Sequence, residues 1–189
     1  MEYQRDVWDN YTVDNEFVKT GDVSKFIYYI SLALGAKNIL EVGCNVGNNF
    51  RDFPKDFDVH GIDLNEKALE KAKVKHPTFQ FKKGSIIEIP FKDSTFDLVF
   101  TSGVLIHIHH EDMKKALIEL FRVSRKWIFN IEYFGENEEE IKWKRAEHLL
   151  WYRNMKKRWS KSNVRIISDV DLPTSIEPNS KFTLVEKLL

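Results

Sequence analysis

The stretch ILEVGCNVGNNF (Ile39 to Phe50) carries an apolar strand pattern straight into a turn of small residues, and about twenty positions on a second strand pattern, VHGIDLN (Val59 to Asn65), ends on an acid. Few folds are open to such a chain. A short, mostly apolar strand followed by a tight turn belongs in the interior of a parallel sheet. Gly43 lets the backbone turn sharply out of that strand, and Gly47 lets the next helix sit close to a bound ligand. Asp63, at the end of the second strand, is placed to accept both hydroxyls of a ribose, each bond being charge-assisted and worth roughly 1.5–3 kcal/mol.

The same turn separates two classes of nucleoside cofactor. From Glu41 to Gly47 the chain reads E-x-G-x-N-x-G, with Asn45 where a dinucleotide fingerprint has a glycine. A dinucleotide site offers helix N-terminal N–H groups to a pyrophosphate, and Glu41 would repel one. A carboxylate there suits the ammonium and sulfonium of S-adenosylmethionine, which is therefore the expected cofactor.

Composition excludes little but is consistent. The 189 residues suffice for one domain with a real core, and 42% of them are hydrophobic. Lysine and arginine number 29 and so do the acids, so net charge provides no pull toward nucleic acid or an anionic membrane. The single cysteine, Cys44, rules out an intramolecular disulfide and fits a reducing compartment. No apolar run is long enough to span a bilayer, and MEYQRDVWDNY reads as neither signal peptide nor anchor. A soluble, cytoplasmic protein without membrane association, monomeric or homodimeric, is expected.

Along the chain, helical and strand patterns alternate: a helix over Val23 to Leu34, strands over Asn38 to Val42 and Asp58 to Ile62, a helix over Glu66 to Lys75 capped by Asn65, strands over Phe79 to Lys82 and Phe96 to Thr101, a helix over Glu111 to Val123, and a strand over Trp127 to Glu132. Two further strands, Val164 to Ser168 and Lys181 to Lys187, close the chain. This predicts a single-domain α/β fold, Rossmann-like, with a mostly parallel seven-stranded sheet, helices on both faces and a C-terminal antiparallel strand. Residues 1–34 form a helical cap, 35–132 a cofactor-binding core, 133–162 an insertion for the substrate, and 163–189 the last strands.

In open α/β sheets ligands lie beyond the carboxyl ends of the strands, near the switch in strand order. Two more segments end there, GSIIEIPF (Gly84 to Phe91) and KDSTFDLVFTSGVLIHI (Lys92 to Ile108). Ser85 and the N–H of Ile86 are placed to read adenine, while Thr101, Ser102 and Gly103 offer carbonyls to an ammonium. Turn chemistry alone also explains a serine at position 85.

With these parts in order, the chain resembles the class I S-adenosylmethionine-dependent methyltransferases from about Ile39 to Glu132. More narrowly, W-x-x-Y at Trp8 to Tyr11, EVGCN-x-GNN, SGVLIHI and IEYF resemble small bacterial methylases associated with pseudaminic acid biosynthesis. The resemblance implies that Glu41, Gly43, Cys44, Gly47 and Asn49 line the methionine end of the cofactor, Asp63 and Leu64 the ribose, and Ser85 and Ile86 the adenine. It departs from the common pattern at Asn45, tolerable because asparagine reaches positive φ more readily than most residues, and at Ser85, where many relatives carry aspartate.

Methyl transfer from a sulfonium asks mainly for placement. His107 is the first candidate for a base or a substrate hydrogen-bond partner, and Glu132 and Tyr133 lie just beyond the fifth strand, where they would meet a substrate amine or hydroxyl. The run from His107 to Asp112 lacks a cysteine or distant ligand pair to complete a metal set, so no metal is expected; Glu111 and Asp112 suit the first turn of a helix. For the acceptor, Trp8 and Tyr11 form a possible lid, and a basic, aromatic helix within 133–162 offers Arg145, Trp151 and Arg153, the arginines as a clamp for a carboxylate or phosphate. The expected acceptor is small and anionic or sugar-like. Basic residues interleaved with aromatics also suit RNA, and a non-catalytic partner of another enzyme is the third reading, though zero net charge opposes the former and the intact Glu41, Gly43, Gly47 and Asp63 set the latter.

Overall fold

A computed structural model of the chain describes residues 7–8, 22–144 and 147–188. Tyr11 and Arg145 lie outside the described residues. The elements run α1 (Val23–Ala33), β1 (Asn38–Val42), β2 (Asp58–Asp63), α2 (Glu66–Lys75), β3 (Gln80–Lys83), β4 (Phe96–Ser102), α3 (His110–Val123), β5 (Ser124–Tyr133), α4 (Met155–Trp159), β6 (Val164–Asp171) and β7 (Ser180–Lys187).

The seven strands form one sheet in the order β3-β2-β1-β4-β5-β7-β6. Strands β1 to β5 pair in parallel, and β7 enters antiparallel between β5 and β6. The order therefore reverses between β1 and β4, and a crevice opens there at the carboxyl ends. Alternate residues along the strands feed two cores. Ile39, Leu98, Phe100 and Phe129 pack with Val23 and Ile27 of α1, whereas Leu40, Val42, Val99 and Ile128 pack with Met113, Leu117 and Leu120 of α3. Asn65 caps α2, its side-chain oxygen accepting from the N–H groups of Lys67 at 2.9 Å and Ala68 at 3.2 Å, a contribution of about 1 kcal/mol.

Three local expectations need correction. No α-helix follows Gly47: Asn48–Phe50 is one 3-10 turn, and Pro54 lies in the short path back to β2. Strand β5 starts at Ser124, directly at the end of α3, rather than at Trp127. The basic, aromatic region is helical only over Met155–Trp159, while Phe134 bridges to Arg153 and Glu140 to Trp151 in extended chain. Trp151 and Trp159 turn inward, Trp143 is half-buried and Tyr152 exposed. Trp159 is fully buried and donates its indole N–H to Asn130 Oδ1 at 2.7 Å.

Candidate functional site

A cleft opens at the β1/β4 crevice, floored by Val42 and Gly43 after β1, walled by Asp63, Leu64 and Asn65 after β2, by Gly84 and Ile86 after β3, and by Val104, His107 and Ile108 after β4, with Trp8 across it. The backbone reaches it through three alternate left-handed positions, with φ of 81° at Gly43, 47° at Asn45 and 73° at Gly47. Asn45 takes its conformation because Asp63 Oδ2 accepts its N–H at 2.8 Å, while Oδ1 accepts from Asn65 N–H at 2.9 Å. Each carboxylate oxygen keeps a lone pair for a ligand hydroxyl. At Gly43 a Cβ would lie 2.4 Å from Val104 Cγ2, so β1 and the β4 exit touch through this glycine. Gly43→Val is expected to close the cleft and abolish S-adenosylhomocysteine binding, measured by calorimetry on protein whose circular dichroism is unchanged.

Glu41 sits beneath the turn, 1% exposed. Asn49 Nδ2 donates to its Oε1 at 2.7 Å, and Oε2 is buried without a hydrogen-bond partner among the described residues. Burial raises its pKa to about 8, the Asn49 bond opposing this and Asp63 adding to it. Two neighbouring carboxyls, one with an unfilled acceptor, fit a ligand that brings a cation and a vicinal diol. S-adenosylmethionine supplies both.

His107 lies on a 3-10 turn, Leu105–His107, with its ring edge-on to Trp8 at 4.6 Å between centroids and against Trp143 at 5.3 Å. Its Nδ1 lies 2.7 Å from the carbonyl oxygen of Leu149. A carbonyl only accepts, so Nδ1 carries the proton. Burial pushes the imidazole pKa down to about 4, the Leu149 bond opposing it and Arg153 reinforcing it, so the ring is neutral and Nε2 is an acceptor.

Other expected site residues have different duties. Glu132 is buried and points back into the protein: Oε1 accepts from the Thr101 hydroxyl at 2.8 Å and Val104 N–H at 3.3 Å, and Oε2 from Ile106 N–H at 3.2 Å. It organises the β4 exit and has no face for a substrate. Arg153 is 2% exposed, its Nε donating to the carbonyl of Leu105 at 2.8 Å and its Nη2 to that of Ile108, which removes it from any anion clamp. Trp151 is buried and donates its N–H to the carbonyl of Ile106 at 2.9 Å, and Tyr133 receives the N–H of Arg153 on its own carbonyl at 2.7 Å. Neither lines the cleft.

Thr101 spends its hydroxyl on Glu132 and accepts from Asn130, and neither it nor Ser102 lines the cleft. Cys44 is buried, with its thiol against the position a Cβ of Gly61 would take, and burial followed by the nearby carboxylates keeps it protonated and inert. Ser85 serves a tight turn, accepting from Ile87 N–H at 3.4 Å on its hydroxyl and from Glu88 N–H at 3.1 Å on its carbonyl. At the start of α3, His109, His110 and Glu111 hold possible ligand atoms within 4.8 Å of one another, a cluster on the surface where no metal was expected. Val42, Asn45, Asn65, Gly84, Val104 and Ile108 line the cleft without having been named as site residues; each is a chain neighbour of a residue that was, which is the signal that could have found them.

Residues 39–126 match the methyltransferase domain family. An uncharacterized methyltransferase of Schizosaccharomyces pombe is 32% identical over 131 residues, 62% of this chain and 46% of its own length. A phosphoethanolamine N-methyltransferase of Triticum aestivum is 30% identical over 121 residues, 59% of this chain and 23% of its own. The chain thus spans less than half the length of either relative. In fold, it is similar to magnesium protoporphyrin IX methyltransferase from Synechocystis PCC 6803 with bound S-adenosylhomocysteine, with a TM-score of 0.74 at 15% identity, covering 99% of both chains. Among the described residues no helix is long and apolar enough to cross a membrane. Residues 39–126, a little under half of the chain, thus match a methyltransferase domain and sit in a fold shared with a methyltransferase that binds S-adenosylhomocysteine.

Proposed function

We propose that the chain transfers the methyl group of S-adenosylmethionine to a small sugar-like acceptor, one carrying an anionic group, by in-line displacement. The cofactor supplies an activated methyl on a sulfonium. Glu41 holds the amino group, Asp63 the ribose, and Ile86 packs on the base. Trp8 covers the cleft and excludes water, so the protein's contribution is chiefly orientation, which is worth as much as roughly 7–11 kcal/mol.

The observation that supports the acceptor class is the wall formed by Trp8, His107 and Trp143. Indole faces suit the apolar faces of a sugar, and His107 Nε2 is an acceptor that can orient a hydroxyl. With Arg153 engaged inside, positive charge for the anionic group falls to Lys142 and Lys144, exposed on either side of Trp143. An acidic sugar of the kind handled by the pseudaminic acid-associated methylases fits that combination. Residues 133–162 are then the substrate region in which these groups lie.

His107→Asn tests this reading, because the amide can keep the donor to Leu149 while removing Nε2. Transfer of labelled methyl to a pool of acidic and nucleotide-linked sugars is expected to fall about five- to a hundredfold with cofactor affinity retained, the loss appropriate to one oriented hydrogen bond. Methylation of RNA and not of the sugar pool would overturn the acceptor class. Cofactor binding without turnover on either would point to the non-catalytic reading.

A further inference from the structure

The turn 103–108 supplies three residues of the cleft, Val104, His107 and Ile108, and closes on itself through two backbone bonds, from His107 N–H to the Val104 carbonyl at 2.9 Å and from Ile108 N–H to the Leu105 carbonyl at 3.2 Å, its other groups being held from outside. From below, Glu132 takes the N–H groups of Val104 and Ile106. From the other side, Arg153 takes the carbonyls of Leu105 and Ile108, and the N–H of Trp151 takes that of Ile106. The link runs the other way as well, His107 Nδ1 donating to the carbonyl of Leu149. A carboxyl, its pKa raised by burial to about 7, thus meets the turn's amides and a guanidinium its carbonyls. The two groups are satisfied without pairing with each other: Glu132 also takes the Thr101 hydroxyl, and Glu138 Oε2 lies 3.8 Å from Arg153 Nη1.

We propose that Arg153 is a positioning residue that locks segment 149–153 of the insertion to the turn 103–108, so that the insertion and the β4 wall of the cofactor cleft order as one body. The inference rests on the S-adenosylmethionine reading of the cleft. Leu149, Trp151 and Arg153 do not line the cleft, so the turn is their link to the cofactor, beside the contact of Trp143 with Trp8. By reciprocity, whatever orders the insertion, an acceptor included, strengthens cofactor binding, and cofactor binding orders the insertion.

Amide hydrogen exchange on the unaltered protein, with and without S-adenosylhomocysteine, tests the coupling. The expected result is slower exchange at residues 104–108 and, in parallel, at Trp151. Protection of 104–108 with unchanged exchange at Trp151 would overturn the proposal, whereas no binding at all would instead remove the cofactor reading on which it stands. Arg153→Met is expected to weaken S-adenosylhomocysteine about tenfold, within the range of ordinary coupling between sites, and to speed exchange at 104–108. Arg158→Met, which loses a partner of Glu138 in the same region but touches nothing in the turn, should do neither. Arg153→Lys, able to reach one of the two carbonyls, should fall between. If Arg153→Met or Arg153→Lys loosens only 147–159 and keeps the affinity of the unaltered protein, Arg153 is a structural residue of the insertion alone.

Discussion

Asp63→Ala is expected to abolish detectable S-adenosylhomocysteine binding and to lower the melting temperature, because this carboxylate serves ligand and fold together. Two charge-assisted bonds to the ribose disappear, at roughly 1.5–3 kcal/mol each, which takes affinity down by more than about a hundredfold. At the same time the N–H groups of Asn45 and Asn65 lose their acceptor. Asn45 then loses the bond that supports its φ of 47°, and the turn that faces the cofactor relaxes with it. Asp63→Asn separates the duties. One amide oxygen can still accept an N–H, so this variant should recover part of the melting temperature while binding remains weakened at least tenfold. Calorimetry and thermal unfolding of both variants decide the matter; unchanged affinity in Asp63→Ala removes the ribose assignment.

How much could be read from residues alone depends on how local each signal is. The β1 turn, the Asn65 cap and the acid ending β2 are spelled out within a few positions, because glycine, asparagine and aspartate each have a backbone reason to stand where they do. Gly43, Asp63, Ile86, His107 and Trp8 accordingly meet at one cleft. Glu132 and Arg153 misled for the converse reason. A carboxylate at a strand end and an arginine in a basic run look like groups awaiting a ligand, whereas their partners are backbone atoms 26 and 48 positions away. Main-chain amides leave no trace in side-chain identity. The missing helix after Gly47 belongs to the same class of error: the small-residue turn is local, but the length of the segment after it is set by how soon the chain must return at Asp58 to pair with Asn38.

Glu41 provides the other large expectation, a dependence on pH. In the folded protein burial carries its pKa from 4.5 to about 8, so at neutral pH the free site holds a neutral acid. A ligand ammonium binds the carboxylate, and the proton must leave as it binds. Affinity for S-adenosylhomocysteine should therefore rise with pH, by up to about tenfold per unit, until pH reaches about 8. Glu41→Gln is expected to flatten that slope and to weaken binding about ten- to a hundredfold near pH 8, the loss expected for a charge-assisted bond. Methylthioadenosine, which lacks the amino-acid end, should show neither the slope nor the sensitivity to this substitution. Stability of the free protein carries the same signature with the opposite sign. Between pH 4.5 and about 8 the unfolded chain has released this proton and the folded chain has kept it, so the folded form binds more protons and loses stability as pH rises. The difference in melting temperature between the unaltered protein and Glu41→Gln should shift across that window in favour of the variant, and saturating cofactor should reverse the shift. Parallel pH profiles for the two proteins, with and without ligand, would mean that Glu41 does not receive the ammonium.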